Sequence, residues 1–306
     1  MVGGVVAVGL ALLHIRNAPM PFTHGRPVLL VSVSLLFLAA FLLKAIGWAR
    51  LFHVRERPGP VSLAAAGGGA TLMGLVLPGR FDELIRIAIV RRFPGCPAGV
   101  RTICLSLVTL GLIDSVALAP FSFVAAAWPG NSVAVRFGFA VVGAGGVVAA
   151  GIVVALPHVS RSERLMRFRI VRWLAPRATP FRSAVEAWAL VSSSWAVRAT
   201  ALTLLLAALG LGFSFPLAMM FLCAGAAAAA LPIALGGAAT QVGAGATLLI
   251  VSGIGASEAL GFALAAQTLL ILTGAAVLFL AVTWKTTRWL VGVTAPYFVA
   301  LRPRLP

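Results

Sequence analysis

The chain has 306 residues, of which 61% are apolar and only 10% charged. Soluble domains carry about 25% charged residues, so this sequence cannot cover a folded surface with polar groups and reads as an integral membrane protein. Its seven acids exclude a carboxylate-rich soluble cleft, and its net charge of +17 reports the Lys/Arg excess of cytoplasmic loops rather than a nucleic-acid partner.

A transmembrane helix needs about 20 apolar residues. The first apolar run, residues 2–15, lacks the basic leader of a signal peptide and is expected to be a first span or the end of one. Residues 28–49 form a clear span. Residues 61–77 are apolar but stop at Pro78-Gly79, then pass into the charged FDELIRIAIVRR. Proline removes a helix hydrogen bond and glycine loosens the backbone, so 61–90 reads as two half-helices around a break. Spans follow at 101–127 and 133–156. The linker 157–182 carries seven arginines and one acid, Glu163. It reads either as an interfacial helix on anionic headgroups or as a plain basic tether. A further span is expected at 183–211. Residues 216–252 are broken by Pro232 and by Gly236-Gly237, and the last span is 257–284, leaving 291–306 as a tail.

Charge tests this order. Residues 44–60, 80–101, 157–182 and 285–306 hold 20 of the 24 basic residues. Placing them all in the cytoplasm requires 61–90 to cross twice or not at all. Its second arm is too short and charged to cross, so a re-entrant hairpin is expected. Residues 216–252 start and end on the far side, as a hairpin or as two crossings; parity does not separate these. The order span, broken hairpin, span thus occurs twice, in 28–127 and 183–284, with opposite facing. Inverted repeats with matched broken helices are a transporter organisation in which the breaks mark the substrate site. The competing reading is that the small residues serve close helix packing. The expected fold is an all-α polytopic membrane protein of about 6–8 spans with two re-entrant hairpins.

Few charges lie at depth. Asp82 and Glu83 are four and three residues before Arg86, so an ion pair is available on a short helix. Arg80 sits near the start of that helix, where free backbone N–H groups favour an anion. Arg80, Asp82, Glu83 and Arg86 are therefore candidate headgroup-binding residues. Asp114 lies mid-span, where a carboxylate is by default functional; it is expected to be protonated or paired, with Arg198 the first candidate partner. Cys96, Cys104, Cys223 and the four histidines never take metal-ligand spacing. No metal or cofactor is expected. Without a nucleophile elbow, P-loop or zinc motif, an enzyme is not expected either.

LPGRFDELIR, a following span with Asp114, and the later LPIALGGAATQVGAG together resemble the flippase-like membrane region of lysylphosphatidylglycerol synthase, in its stand-alone bacterial form. The resemblance spans roughly residues 1–290. The first motif carries over to Pro78, Gly79, Arg80, Glu83 and Arg86, with Asp82 in place of a glycine. The second carries over to Pro232, Gly236 and Gly237. Ala239 replaces its third glycine, and Gln241-Val242 stands where an acid is usual. The resemblance implies movement of an anionic phospholipid or glycolipid between leaflets of a bacterial inner membrane, with membrane lipids as partners. The alternative is a non-transporting scaffold that docks a separate synthase or glycosyltransferase.

Overall fold

In chain order the α-helices are α1 (Pro27–Arg50), α2 (Pro60–Met73), α3 (Phe81–Arg92), α4 (Val100–Ala127), α5 (Val133–Val159), α6 (Phe181–Ala208), α7 (Phe215–Ala230), α8 (Gly237–Val251) and α9 (Ala256–Ala300). The computed structural model describes residues 27–74, 81–93, 96–159, 180–230 and 237–300, and among these there is no strand. Five helices, α1, α4, α5, α6 and α9, are long and apolar enough to cross a membrane, and they coincide with the five expected spans. The run at 2–15 and most of the linker 157–182 lie outside the described residues.

Two boundaries differ from expectation. Helix α6 stops at Ala208 rather than 211, because Gly210 takes a φ of +78° that only glycine adopts freely. That turn lets the Leu211 N–H donate to the Leu206 carbonyl at 2.9 Å, closing the helix end. Helix α9 continues to Ala300, through much of the stretch expected to be a tail.

The broken segments form helix pairs. Helices α2 and α3 have 14 and 12 residues, and α7 and α8 have 16 and 15. At 1.5 Å per residue none exceeds about 24 Å, short of the about 30 Å hydrocarbon core. Each pair runs antiparallel. Ile89 of α3 reaches Gly69 of α2, and Phe93 beyond it clusters with Ala65. Likewise Phe221 of α7 lies against Gly245 of α8, and Gly225 against Gln241. Within 216–252, α7 and α8 thus form an antiparallel pair of short helices.

The hairpins enter from opposite ends. Around the open end of α2–α3 lie the end of α1 and the starts of α4 and α6. Thr102 donates to Glu56 at 2.9 Å, and Glu186 pairs with Arg182 at 3.2 Å and with Arg50 at 3.4 Å. Lys285 stands 5.6 Å from the Phe93 ring centroid, which brings the later part of α9 to the same end. The far end holds the start of α7, where Asn131 donates to Met220 Sδ at 3.0 Å.

Helices α1 and α6 form the most extensive helix pair. They are antiparallel: Gly47 meets Val191 and Ala187, and the Ser194 hydroxyl donates to the Ala40 carbonyl at 2.9 Å. Helix α9 docks on α2 where Gly68 and Gly274 touch backbone to backbone, a close approach typical of small-residue contacts in membranes. Trp48 of α1 donates from Nε1 to the Ser106 hydroxyl of α4 at 2.9 Å, in a buried contact. Ser106→Ala is expected to leave that N–H without its acceptor and to destabilise by about 1–3 kcal/mol. A lowered thermal midpoint in detergent, absent in Ser106→Thr, would measure it.

Candidate functional site

Between the hairpins lie two adjoining cavities, of about 210 Å³ and about 590 Å³. Both are lined by Lys44, Asp82, Arg86, Arg198, Gln241 and Gln267. The first is also bordered by Gly74 from the α2–α3 hairpin and by Ala229 and Ala238 from the α7–α8 hairpin. Residues 75–80 and 231–236 connect the two helices of each pair in sequence. Pro78, Gly79, Arg80, Pro232 and Gly236 fall in them, outside the described residues. Gly237 opens α8, and Gln241, one turn later, faces the cavities.

The polar centre is built around Trp195. Its Nε1 donates to Asp114 Oδ1 at 3.1 Å, while Asp114 Oδ2 takes an ion pair from Lys44 Nζ at 2.7 Å. The expected partner of Asp114 was Arg198; the residue that pairs with it is Lys44. Arg198 instead lies over the Trp195 and Phe41 rings, with Cζ 5.5 and 5.6 Å from their centroids. Lys44 stands 5.6 Å from the Trp195 centroid. Two cations thus share one indole, a favourable cation–π arrangement when desolvated. Helical spacing produces it, because Trp195 and Arg198 are three apart on α6 and Phe41 and Lys44 are three apart on α1.

Arg86 arrives from α3 and pairs with Asp82 at 3.2 Å, the i,i+4 pair expected from sequence. Asp82 and Glu83 occupy the first turn of that helix, where a carboxylate suits the positive dipole end. Glu83 lines the larger cavity. Arg86 lines the same two cavities as Lys44 and Arg198, so three cations crowd one space. The Nε atoms of Arg86 and Arg198 are buried and have no hydrogen-bond partner among the described residues. Buried donors of this kind are costly unless something accepts from them. The arrangement suits an anionic group with several acceptor oxygens, held by guanidinium donors.

Lys44, Trp195 and Gln267 were not among the expected site residues. Lys44 had been grouped with the cytoplasmic basic residues of 44–60, and the structure corrects this: it is a cavity residue. The available signal was that AIGWAR continues α1 for more than a turn beyond it. Gln267 is a lone amide inside an apolar span, which was legible as a polar residue at depth.

A family model described as the lysylphosphatidylglycerol synthase TM region matches residues 2–277 of the chain. No curated protein and no solved structure matches it.

Proposed function

The chain belongs to the lysylphosphatidylglycerol synthase TM-region family, and we propose that it moves an anionic phospholipid or glycolipid between membrane leaflets. Family membership supports a lipid-related membrane role. The finer reading is carried by one observation: a cavity at the meeting of two oppositely entering hairpins, lined by Lys44, Arg86 and Arg198. A scaffold for a synthase or glycosyltransferase would have no need of such a space and could be packed shut there.

In this reading the halves α1–α4 and α6–α9 are inverted repeats, and a headgroup passes between the hairpin tips. Arg86 and Arg198 would donate to its phosphate, and in the empty site Asp82 and Asp114 pair with Arg86 and Lys44. No covalent step is needed, so the activity is transport and not catalysis. The Lys/Arg-rich end, with the C-terminus, would face the cytoplasm of a bacterial inner membrane. Gln241 and Gln267 offer neutral amides, so any acid-dependent step would fall to Asp114, Asp82 or Glu83, which line the larger cavity.

The test is leaflet exchange of fluorescent phosphatidylglycerol in vesicles reconstituted with the purified protein. Wild type is expected to speed exchange over empty vesicles, and Arg86→Ala and Arg198→Ala each to slow it about tenfold, one tenfold step being about 1.4 kcal/mol of barrier. A wild type that moves no lipid across a panel of phospholipids and glycolipids would sink the reading.

A further inference from the structure

The larger cavity is not polar throughout. Away from Arg198 it runs between α4, α5 and α7, where its walls are Gly111, Gly145, Gly225 and Ala226 with Leu118 and Val142. A side chain added at Gly111 or Gly145 would project into open space. Helix α5 packs closely on α4 but touches α7 at only a few positions. The outcome is a seam: a largely apolar slot, walled mostly by small residues, that leads from the cationic centre to the exposed side of the bundle at Gly111 and Gly145. Small residues alone would explain close helix packing, yet Gly111 and Gly145 pack against nothing. At the inner end of the slot, the buried Nε donors of Arg86 and Arg198 lack an acceptor among the described residues.

We infer that this seam is an acyl-chain subsite, so that the ligand is a phospholipid whose headgroup sits at the cations while its chains stay in the bilayer through the α4/α5/α7 slot. The inference rests on the lipid reading above and specifies how the lipid is held. A chain in hydrocarbon keeps its favourable transfer energy of about 0.8 kcal/mol per CH₂, whereas drawing it through the polar centre would forfeit it. The headgroup alone then needs the polar passage.

Occupancy of the slot can be read without any transport. The full-length protein is reconstituted in phosphatidylcholine vesicles containing phosphatidylglycerol with a photoreactive diazirine midway along one chain. After irradiation, labelled residues are mapped by mass spectrometry. Labels are expected on the slot-facing stretches near Gly111, Val142 to Gly145 and Gly225. Gly145→Trp should cut them about tenfold, on the scale of 1.4 kcal/mol per decade, while Gly145→Ala retains them. Labelling confined to outward residues such as Phe137 and Val148, or unchanged by Gly145→Trp, would overturn the subsite. Because the readout is binding, slot labelling without exchange would reject transport alone, and exchange without slot labelling would reject the seam alone.

Discussion

Asp114→Ala lowers the stability of the protein by about 2–4 kcal/mol, somewhat less than the about 3–5 kcal/mol for breaking a fully dry ion pair, because both side chains keep some exposure to the cavity. The loss has two parts. Lys44 is left facing Arg86 and Arg198 without the carboxylate 2.7 Å away, and the Trp195 N–H loses its acceptor. The second part separates from the first. Asp114→Asn restores an acceptor but no charge, so its thermal midpoint should lie between those of Asp114→Ala and wild type. Replacing both partners with apolar residues, as in Lys44→Met with Asp114→Leu, should recover the first part but not the second, because the Trp195 N–H still lacks its acceptor, while leaving lipid exchange low. A wild-type midpoint for Asp114→Ala would show that the pair holds nothing together.

Gly68→Leu is expected to prevent a folded, monodisperse protein from accumulating. The cause is steric and local. A Cβ at Gly68 would overlap the Gly274 carbonyl oxygen, and the obstacle is backbone on an opposing helix, which cannot rotate away. One methyl at such a place costs about 1–3 kcal/mol, so Gly68→Ala should already lower the midpoint in detergent. Leucine adds three further carbons with nowhere to go, and α2 would have to leave α9. Gly138→Ala in α5 is the control, since nothing lies within 4 Å of its added Cβ; it should be neutral or stabilising by up to about 1 kcal/mol through helix propensity. Equal effects of Gly68→Ala and Gly138→Ala, read as yield and midpoint after size-exclusion chromatography, would refute this packing argument.

The sequence was informative where the bilayer imposes one rule on many residues. A span must be apolar for its whole length and basic residues gather on one side, so the five long helices and the shared end of α1, α4 and α6 were readable. The broken hairpin 61–90 was also readable, from Pro78-Gly79 followed by charge. What could not be read was pairing across space. Asp114 lies on α4, and nothing in a linear sequence distinguishes Lys44 from Arg198 as its partner; the choice depends on how α1 and α6 are rotated about each other. Lys44 was further obscured because a charge near a span end normally belongs to the interface. For 216–252 parity allowed two answers, and the sequence showed only that the segment is broken, not that α7 and α8 pair side by side. The glycines of the seam carried no signal, since Gly145 and Gly146 look alike in sequence. Yet a Cβ on Gly146 would strike Ser115 and Ala119, and one on Gly145 would strike nothing.

The α1–α6 pair also limits how the molecule can move. Each helix opens its own half, and the two are fastened along their length by Gly47 on Val191, by Ser194 on Ala40, and at one end by Glu186 between Arg50 and Arg182. They act as an axle. Under the proposed lipid movement, exposing the centre alternately to each side would mean rocking the hairpins and α4, α5 and α9 around this line, while the axle helices stay together. Phe41, Lys44, Trp195 and Arg198 all sit on that axle and would remain still, whereas Arg86, on α3, would move with the walls around them.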